Sequence, residues 1–156
     1  MRKYFLALLV VMLALPLHAG EADAILGVWQ TDPKAEGGPA HVKMVRDGDT
    51  YSGRIIWLSE PTYPAEEGPE WAGKPKVDRE NPDPALRSRP ILNLQMVGGF
   101  HYEGDQKWSG GTIYDPNNGK TYKCWMKLKG QKLKVRGYIG FSLLGRTTEW
   151  TRVQEE

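Results

Sequence analysis

The stretch KTYKCWMKLK (Lys120–Lys129), followed by Gly130-Gln131 and KLKVRGYI (Lys132–Ile139), alternates residue by residue. Tyr122, Cys124, Met126 and Leu128 fall on one face and Lys123, Lys127 and Lys129 on the other; after the turn, Leu133, Val135 and Ile139 oppose Lys132, Lys134 and Arg136. A period of two with an apolar and a charged face is the signature of a half-buried strand, and two such runs across a glycine turn predict an antiparallel hairpin. The same pattern recurs outward from it. Ile25–Thr31, His41–Arg46, Tyr51–Leu58, Ile91–Val97, Phe100–Glu103, Trp108–Tyr114 and Arg146–Val153 read as strands, with Asp47-Gly48-Asp49, Gly98-Gly99 and Asp115-Pro116-Asn117-Asn118-Gly119 as turns. Helical periodicity of useful length is absent. The expectation is an all-β domain of eight or nine short antiparallel strands. A near-continuous meander favours an up-and-down barrel over a Greek-key sandwich, because closure removes exposed strand edges.

One segment breaks the rhythm. Ser59–Pro90, after the third strand, is a Pro-rich loop holding seven of the eleven prolines. Loops of this length are usually functional or disordered. The charged first half, through Lys76, reads as plain flexibility, whereas in the second half Asp83 caps a short helix that begins at Pro84. A lid over one end of the barrel is the functional alternative.

The chain has 156 residues, enough for one domain. Its formal charge of +2 resides in Arg2 and Lys3. Those cations precede an apolar run, Tyr4–Leu17, shorter than a membrane-spanning helix, with a small residue at Ala19. Residues 1–19 are therefore expected to be a cleavable secretory signal, leaving a single domain over 20–156 in the periplasm or the medium, without an integral membrane segment. Without Arg2 and Lys3, cations and anions balance, which argues against nucleic acid as a partner. Cys124 is the only cysteine, so no internal disulfide forms, and with His41 and His101 the only histidines after Ala19, no metal site or cofactor is expected.

Three stretches are more specific than composition: DRENPDPALRSRPI (Asp78–Ile91), WSGGTIYDPNNGKTY (Trp108–Tyr122) and LKVRGYIGFSLLGRTTEWTR (Leu133–Arg152). With Gly27-Val28-Trp29 they resemble, in order and over Gly27–Arg152, the secreted bacterial family catalogued as domain of unknown function 2147. The resemblance implies a small exported protein with a lipocalin-like (calycin-type) barrel and no established activity. Gly27-x-Trp29 is similar to the lipocalin start motif, which implies a structural role for Gly27 and Trp29. In that motif the tryptophan plugs the closed end, with a cation from the end of the chain across its ring, here Arg152 or Arg146. The long insertion departs from the lipocalin pattern and puts an open barrel mouth in question.

The candidate site follows from the inward faces. Tyr51, Ile55, Trp57, Tyr122, Met126, Leu128, Leu133 and Val135 would line an apolar interior suited to a small apolar or amphipathic ligand. The same side chains could instead fill the barrel as core. Arg87 and Arg89, near the return to the sheet, could fork onto an anionic head group, or could pair with Asp78, Glu80 or Asp83 and pin the loop. If the barrel is filled, the alternative is a surface module with a protein partner, for which Trp71 and Trp125 would be the exposed aromatics. The oxygens of Asp115–Gly119 are spaced too closely for a calcium cage. Catalytic signatures are poor: no nucleophile elbow is present, Cys124 lies on an apolar face, and Glu66-Glu67 sit in the irregular segment. No catalytic residue is assigned.

Overall fold

The computed structural model describes residues 18–154; most of the expected signal, residues 1–17, lies outside the described residues. Eight antiparallel strands close into one up-and-down barrel in chain order: β1 (Gly27–Gln30), β2 (Ala40–Asp47), β3 (Thr50–Leu58), β4 (Gln95–Gly104), β5 (Lys107–Asp115), β6 (Lys120–Lys129), β7 (Lys132–Tyr138) and β8 (Gly145–Arg152). β6 and β7 form the expected hairpin, with Cys124 in register with Gly137, Met126 with Val135 and Leu128 with Leu133. Cys124, Met126, Leu133 and Val135 are buried.

Two local departures have identifiable causes. Ile91–Val97 and Phe100–Glu103 are not separate strands. Gly98-Gly99 lies within β4, where the pairing to β3 slips between Gly53–Val97 and Tyr51–Phe100 and Gly99 takes a φ of +75°. The glycines bulge the strand rather than reversing it. The reversal comes at Asp105-Gln106, both at positive φ (52° and 56°), between the paired Gly104 and Lys107. Both central residues at positive φ describe a type I′ hairpin built without the usual Asn-Gly or Asp-Gly.

The second departure is in β3. Val42 pairs with Ile55 but His41 pairs with Trp57, so Ile56 is an extra residue in the strand. One inserted residue inverts the in-out phase beyond it. Trp57 therefore faces outward, 44% exposed, and packs against His41 at a ring-centroid distance of 4.4 Å.

One end of the barrel is sealed. Trp29, Met44, Tyr51, Phe100 and Trp108 fill it, all buried, and a short helix α1 (His18–Ala22) with a 3₁₀ turn (Asp23–Ile25) crosses it. Trp108 Nε1 donates to the Ala22 carbonyl at 3.1 Å, and the Tyr51 hydroxyl donates to Asp23 Oδ1 at 2.9 Å. β8 closes on β1 through Trp29–Arg152 and Gln30–Thr151. Of the two candidate cations, Arg152 is the one that lies over the Trp29 ring, 4.2 Å from its centroid, and its guanidinium donates to the carbonyls of Leu26 (2.8 Å) and Ala24 (2.5 Å). Gly27 makes room for it: a Cβ there would stand 3.0 Å from Arg152 Nη1, at a φ of +109° that disfavours any side chain.

Arg152→Ala removes the cation–π contact and two carbonyl partners together, and is expected to destabilise the fold by about 2–3 kcal/mol in urea unfolding. Burial pushes the Cys124 thiol up to about 12, so a thiol reagent at neutral pH should label it only on unfolding.

Candidate functional site

The four connections at the other end, after β1, β3, β5 and β7, surround a cavity of about 720 Å³. Ile55, Val135 and Trp150, themselves buried, form its deepest surface, and half-buried Met96, Ile113 and Thr148 line its walls. Below them Val42, Met44, Val97, Phe100 and Met126 pack into the sealed half. A Cβ on Gly53 would come within 2.8 Å of Val42, Met44 and Val97, and one on Gly111 within 2.6 Å of Phe100. Half of the barrel is thus filled and half is hollow.

The expected lining divides accordingly. Ile55, Val135 and Tyr122 line the cavity. Tyr51, Met126, Leu128 and Leu133 belong to the packed part beneath it. The inward orientation expected of Trp57 is corrected by the Ile56 bulge. On β8, Thr148 and Trp150 went unassigned in the sequence and Arg146 was weighed as a cation for the Trp29 ring, whereas all three face the cavity in alternation. Their phase follows from Arg152, two residues on, which faces inward onto Trp29.

The Pro-rich segment forms one wall. Its first half is packed: Thr62 bridges to Pro75, Tyr63 is buried, and the Tyr63 hydroxyl both donates to the Val77 carbonyl (3.0 Å) and accepts from Val77 N (3.1 Å). Its second half carries the expected cap, with Ala85 N donating to Asp83 Oδ1 at 3.0 Å ahead of the 3₁₀ turn Pro84–Leu86. The whole segment is anchored through Asp78, which is fully buried. Asp78 Oδ1 accepts from the Tyr114 hydroxyl at 2.6 Å; Oδ2 accepts from Asn81 Nδ2 at 2.7 Å and from Arg89 Nε at 2.8 Å, and Arg89 Nη2 also lies 2.8 Å from it. The β5–β6 turn presses onto the same loop, and a Cβ on Gly119 would collide with the Glu80 carbonyl oxygen.

This network settles where the nominated cations lie. Arg89 is forked onto Asp78, and Arg87 is exposed, with its Nε donating to the Asn81 carbonyl at 2.8 Å. Neither lines the cavity. At the mouth, Lys76 pairs with Glu60 (3.3 Å) and Arg79 with Glu67 (2.9 Å), a contact that holds the Glu67 carboxyl below its ordinary value. Arg146 also lines the mouth and has no carboxylate partner among the described residues. Trp71, expected at the surface, stacks edge-on against Tyr63 at 5.2 Å beside Arg79, and Trp125 is half-buried, so neither is a free aromatic platform. Among the described residues no group of three or more His, Cys, Asp or Glu is arranged to hold a metal ion.

The geometry can be set beside known proteins. The family described as "Uncharacterized protein conserved in bacteria (DUF2147)" matches residues 27–152. The chain belongs to this family. Its barrel is similar to that of protein HP1028 from the human pathogen Helicobacter pylori, described as belonging to the lipocalin family, with a TM-score of 0.70, 21% identity and 83% of each chain covered. At that identity the likeness bears on the fold, which is lipocalin-like. No curated protein matches the chain significantly. No helix among the described residues of this DUF2147 member is long and apolar enough to cross a membrane.

Burial, together with the hydrogen bond to Asp78, pushes the Tyr114 phenol up to about 12 from its ordinary value near 10. The folded phenol keeps its proton where the unfolded one has lost it. This contribution to stability is therefore complete below about pH 10 and is lost as pH rises through about 12. Tyr114→Phe should lower stability at pH 7 by about 1–3 kcal/mol and make its decline between pH 10 and 12 shallower, read by chemical denaturation across that range.

Proposed function

We propose that this protein is an exported, periplasmic or secreted carrier of a small amphipathic molecule, whose apolar part enters the barrel and whose anionic end meets Arg146. The observation that carries the reading is the cavity of about 720 Å³: an apolar bottom of Ile55, Val135 and Trp150 beneath a rim where the lining cation Arg146 has no carboxylate partner among the described residues. Its volume is in the range of small-molecule sites, about 300–1,000 Å³. Pro-rich wall and β-barrel together shield the bottom from bulk water, which strengthens a charge-assisted bond at the rim. The head-group role considered for Arg87 and Arg89 passes to Arg146, because Arg89 is committed to Asp78 and Arg87 to the Asn81 carbonyl.

A dansyl-labelled long-chain carboxylate and its methyl ester test the reading by fluorescence titration. The acid is expected to bind more tightly than the ester. Arg146→Ala should weaken the acid by about tenfold, the worth of one charge-assisted hydrogen bond, and leave the ester unchanged. Thr148→Trp, which places bulk in the cavity, should weaken both. Failure of either probe to bind, or equal loss of acid and ester in Arg146→Ala, would overturn the assignment.

A further inference from the structure

The β7–β8 connection has a composition that a soluble surface does not call for. From Ile139 to Leu144 it reads IGFSLL, and Ile139, Phe141, Leu143 and Leu144 are 65%, 78%, 88% and 70% exposed. Isolated apolar residues on a surface need no explanation, but four within six positions form a patch, and such patches mark interaction sites. The loop is held in shape. Arg136 donates from Nε to the Ser142 carbonyl (2.6 Å), from Nη2 to the Leu143 carbonyl (3.2 Å) and from Nη1 to Thr147 Oγ1 (2.8 Å), while Leu144 N donates to the Phe141 carbonyl at 2.9 Å. The backbone polar groups are tied down beneath side chains that are mostly exposed to water.

Charge decides what covers them. From Pro116 to Thr148 the chain carries eight Lys and Arg and no Asp or Glu, although cations and anions balance over residues 20–156. At the closed end of the barrel Lys127 pairs with Asp105 and Lys132 with Glu149, while Lys129 and Lys134 are exposed without a carboxylate partner among the described residues. At the mouth end, Lys120, Lys123 and Arg146 are exposed and have no carboxylate partner among the described residues, and Lys123 is in register with Tyr138 next to the apolar loop. A protruding apolar tip flanked by unpaired cations is complementary to an anionic bilayer: acyl chains accept the side chains, and phosphate groups meet the cations.

We propose that the Ile139–Leu144 loop docks this protein on an anionic lipid surface, with Phe141 and Leu143 entering the interface and Lys120 and Lys123 at the head groups. Because Ile139 and Leu144 also border the cavity, docking brings the β7–β8 side of its rim to the bilayer. The docking stands on the loop and the cations and does not require the cavity to hold a ligand.

Co-sedimentation of the chain lacking residues 1–19 with vesicles of phosphatidylglycerol and phosphatidylcholine, and with phosphatidylcholine alone, tests it. The protein should pellet with the mixed vesicles, less so as salt is raised, and only weakly with the neutral ones. The double variant Phe141→Ser/Leu143→Ser should partition at least about tenfold less, as expected for withdrawing two apolar side chains from an interface. Lys120→Gln/Lys123→Gln should weaken binding to the mixed vesicles alone. Phe141→Trp provides a readout that needs no loss of function: its emission should shift to the blue when the mixed vesicles are added. Absence of pelleting, pelleting that survives the double loop variant, or a stable dimer in sedimentation equilibrium that the loop variant dissolves would overturn the proposal, the last because a second copy then covers the patch.

Discussion

The barrel depends on one interaction at its seam, the contact of Arg152 with Trp29. A meander of eight strands leaves its first and last strands as open edges until they pair, and here that pairing is short, two residue pairs between β1 and β8. Arg152 strengthens it by joining β8 to two other elements at once: the ring on β1 and the carbonyls of Ala24 and Leu26 in the segment that crosses the closed end. Removing these carbonyls from water without a donor would be costly. The guanidinium supplies the donors, and its removal from water lowers its proton affinity, as expected for a desolvated cation.

The seam also sets the phase of β8. With Arg152 turned inward, strand alternation brings Trp150, Thr148 and Arg146 inward in succession, from the packed end to the mouth. The residue that seals one end thereby determines that a cation stands at the other. The Pro-rich segment completes the mouth for a different reason. Asp78 is buried without penalty only because Tyr114, Asn81 and Arg89 satisfy both of its oxygens, and this arrangement exists only when the segment lies against the end of β5. A stretch of low strand propensity is thus held by polar contacts where apolar packing is scarce, and it becomes a wall of the cavity.

Packing accounts for the division between a filled and a hollow half. Near the closed end the inward positions carry Trp29, Tyr51, Phe100 and Trp108, and Gly53 and Gly111 leave the space those neighbours occupy. Toward the mouth the inward positions on β7 and β8 include Gly137 and Thr148, too small to fill the lumen, with Arg146 at the rim. Large side chains at one level and small ones at the other leave a cavity without any change in backbone architecture.

The resemblance to the lipocalin start motif implied the pairing of Trp29 with a C-terminal cation, whereas strand order, barrel class, the β6–β7 hairpin and the cap at Asp83 were legible in the residues themselves. Each rests on local chemistry: alternation of period two, glycine in tight turns, a side-chain oxygen ahead of Pro84. The bulges were not legible, because an inserted residue such as Ile56 shows only when a strand is laid against its partner; this is why Trp57 reads as inward and lies outside, and why Gly98-Gly99 reads as a turn. The Asp105-Gln106 reversal was hidden because neither residue is a glycine. The candidate site was legible only in part. Ile55, Tyr122 and Val135 follow from alternation, but which inward residues face packed neighbours and which face empty space depends on side chains from strands far apart in sequence. The fate of Arg89 and Arg146 was likewise decided in three dimensions, since a buried carboxylate claims the cation it can reach, and only the tertiary structure brings Asp78 to one of them and none to the other.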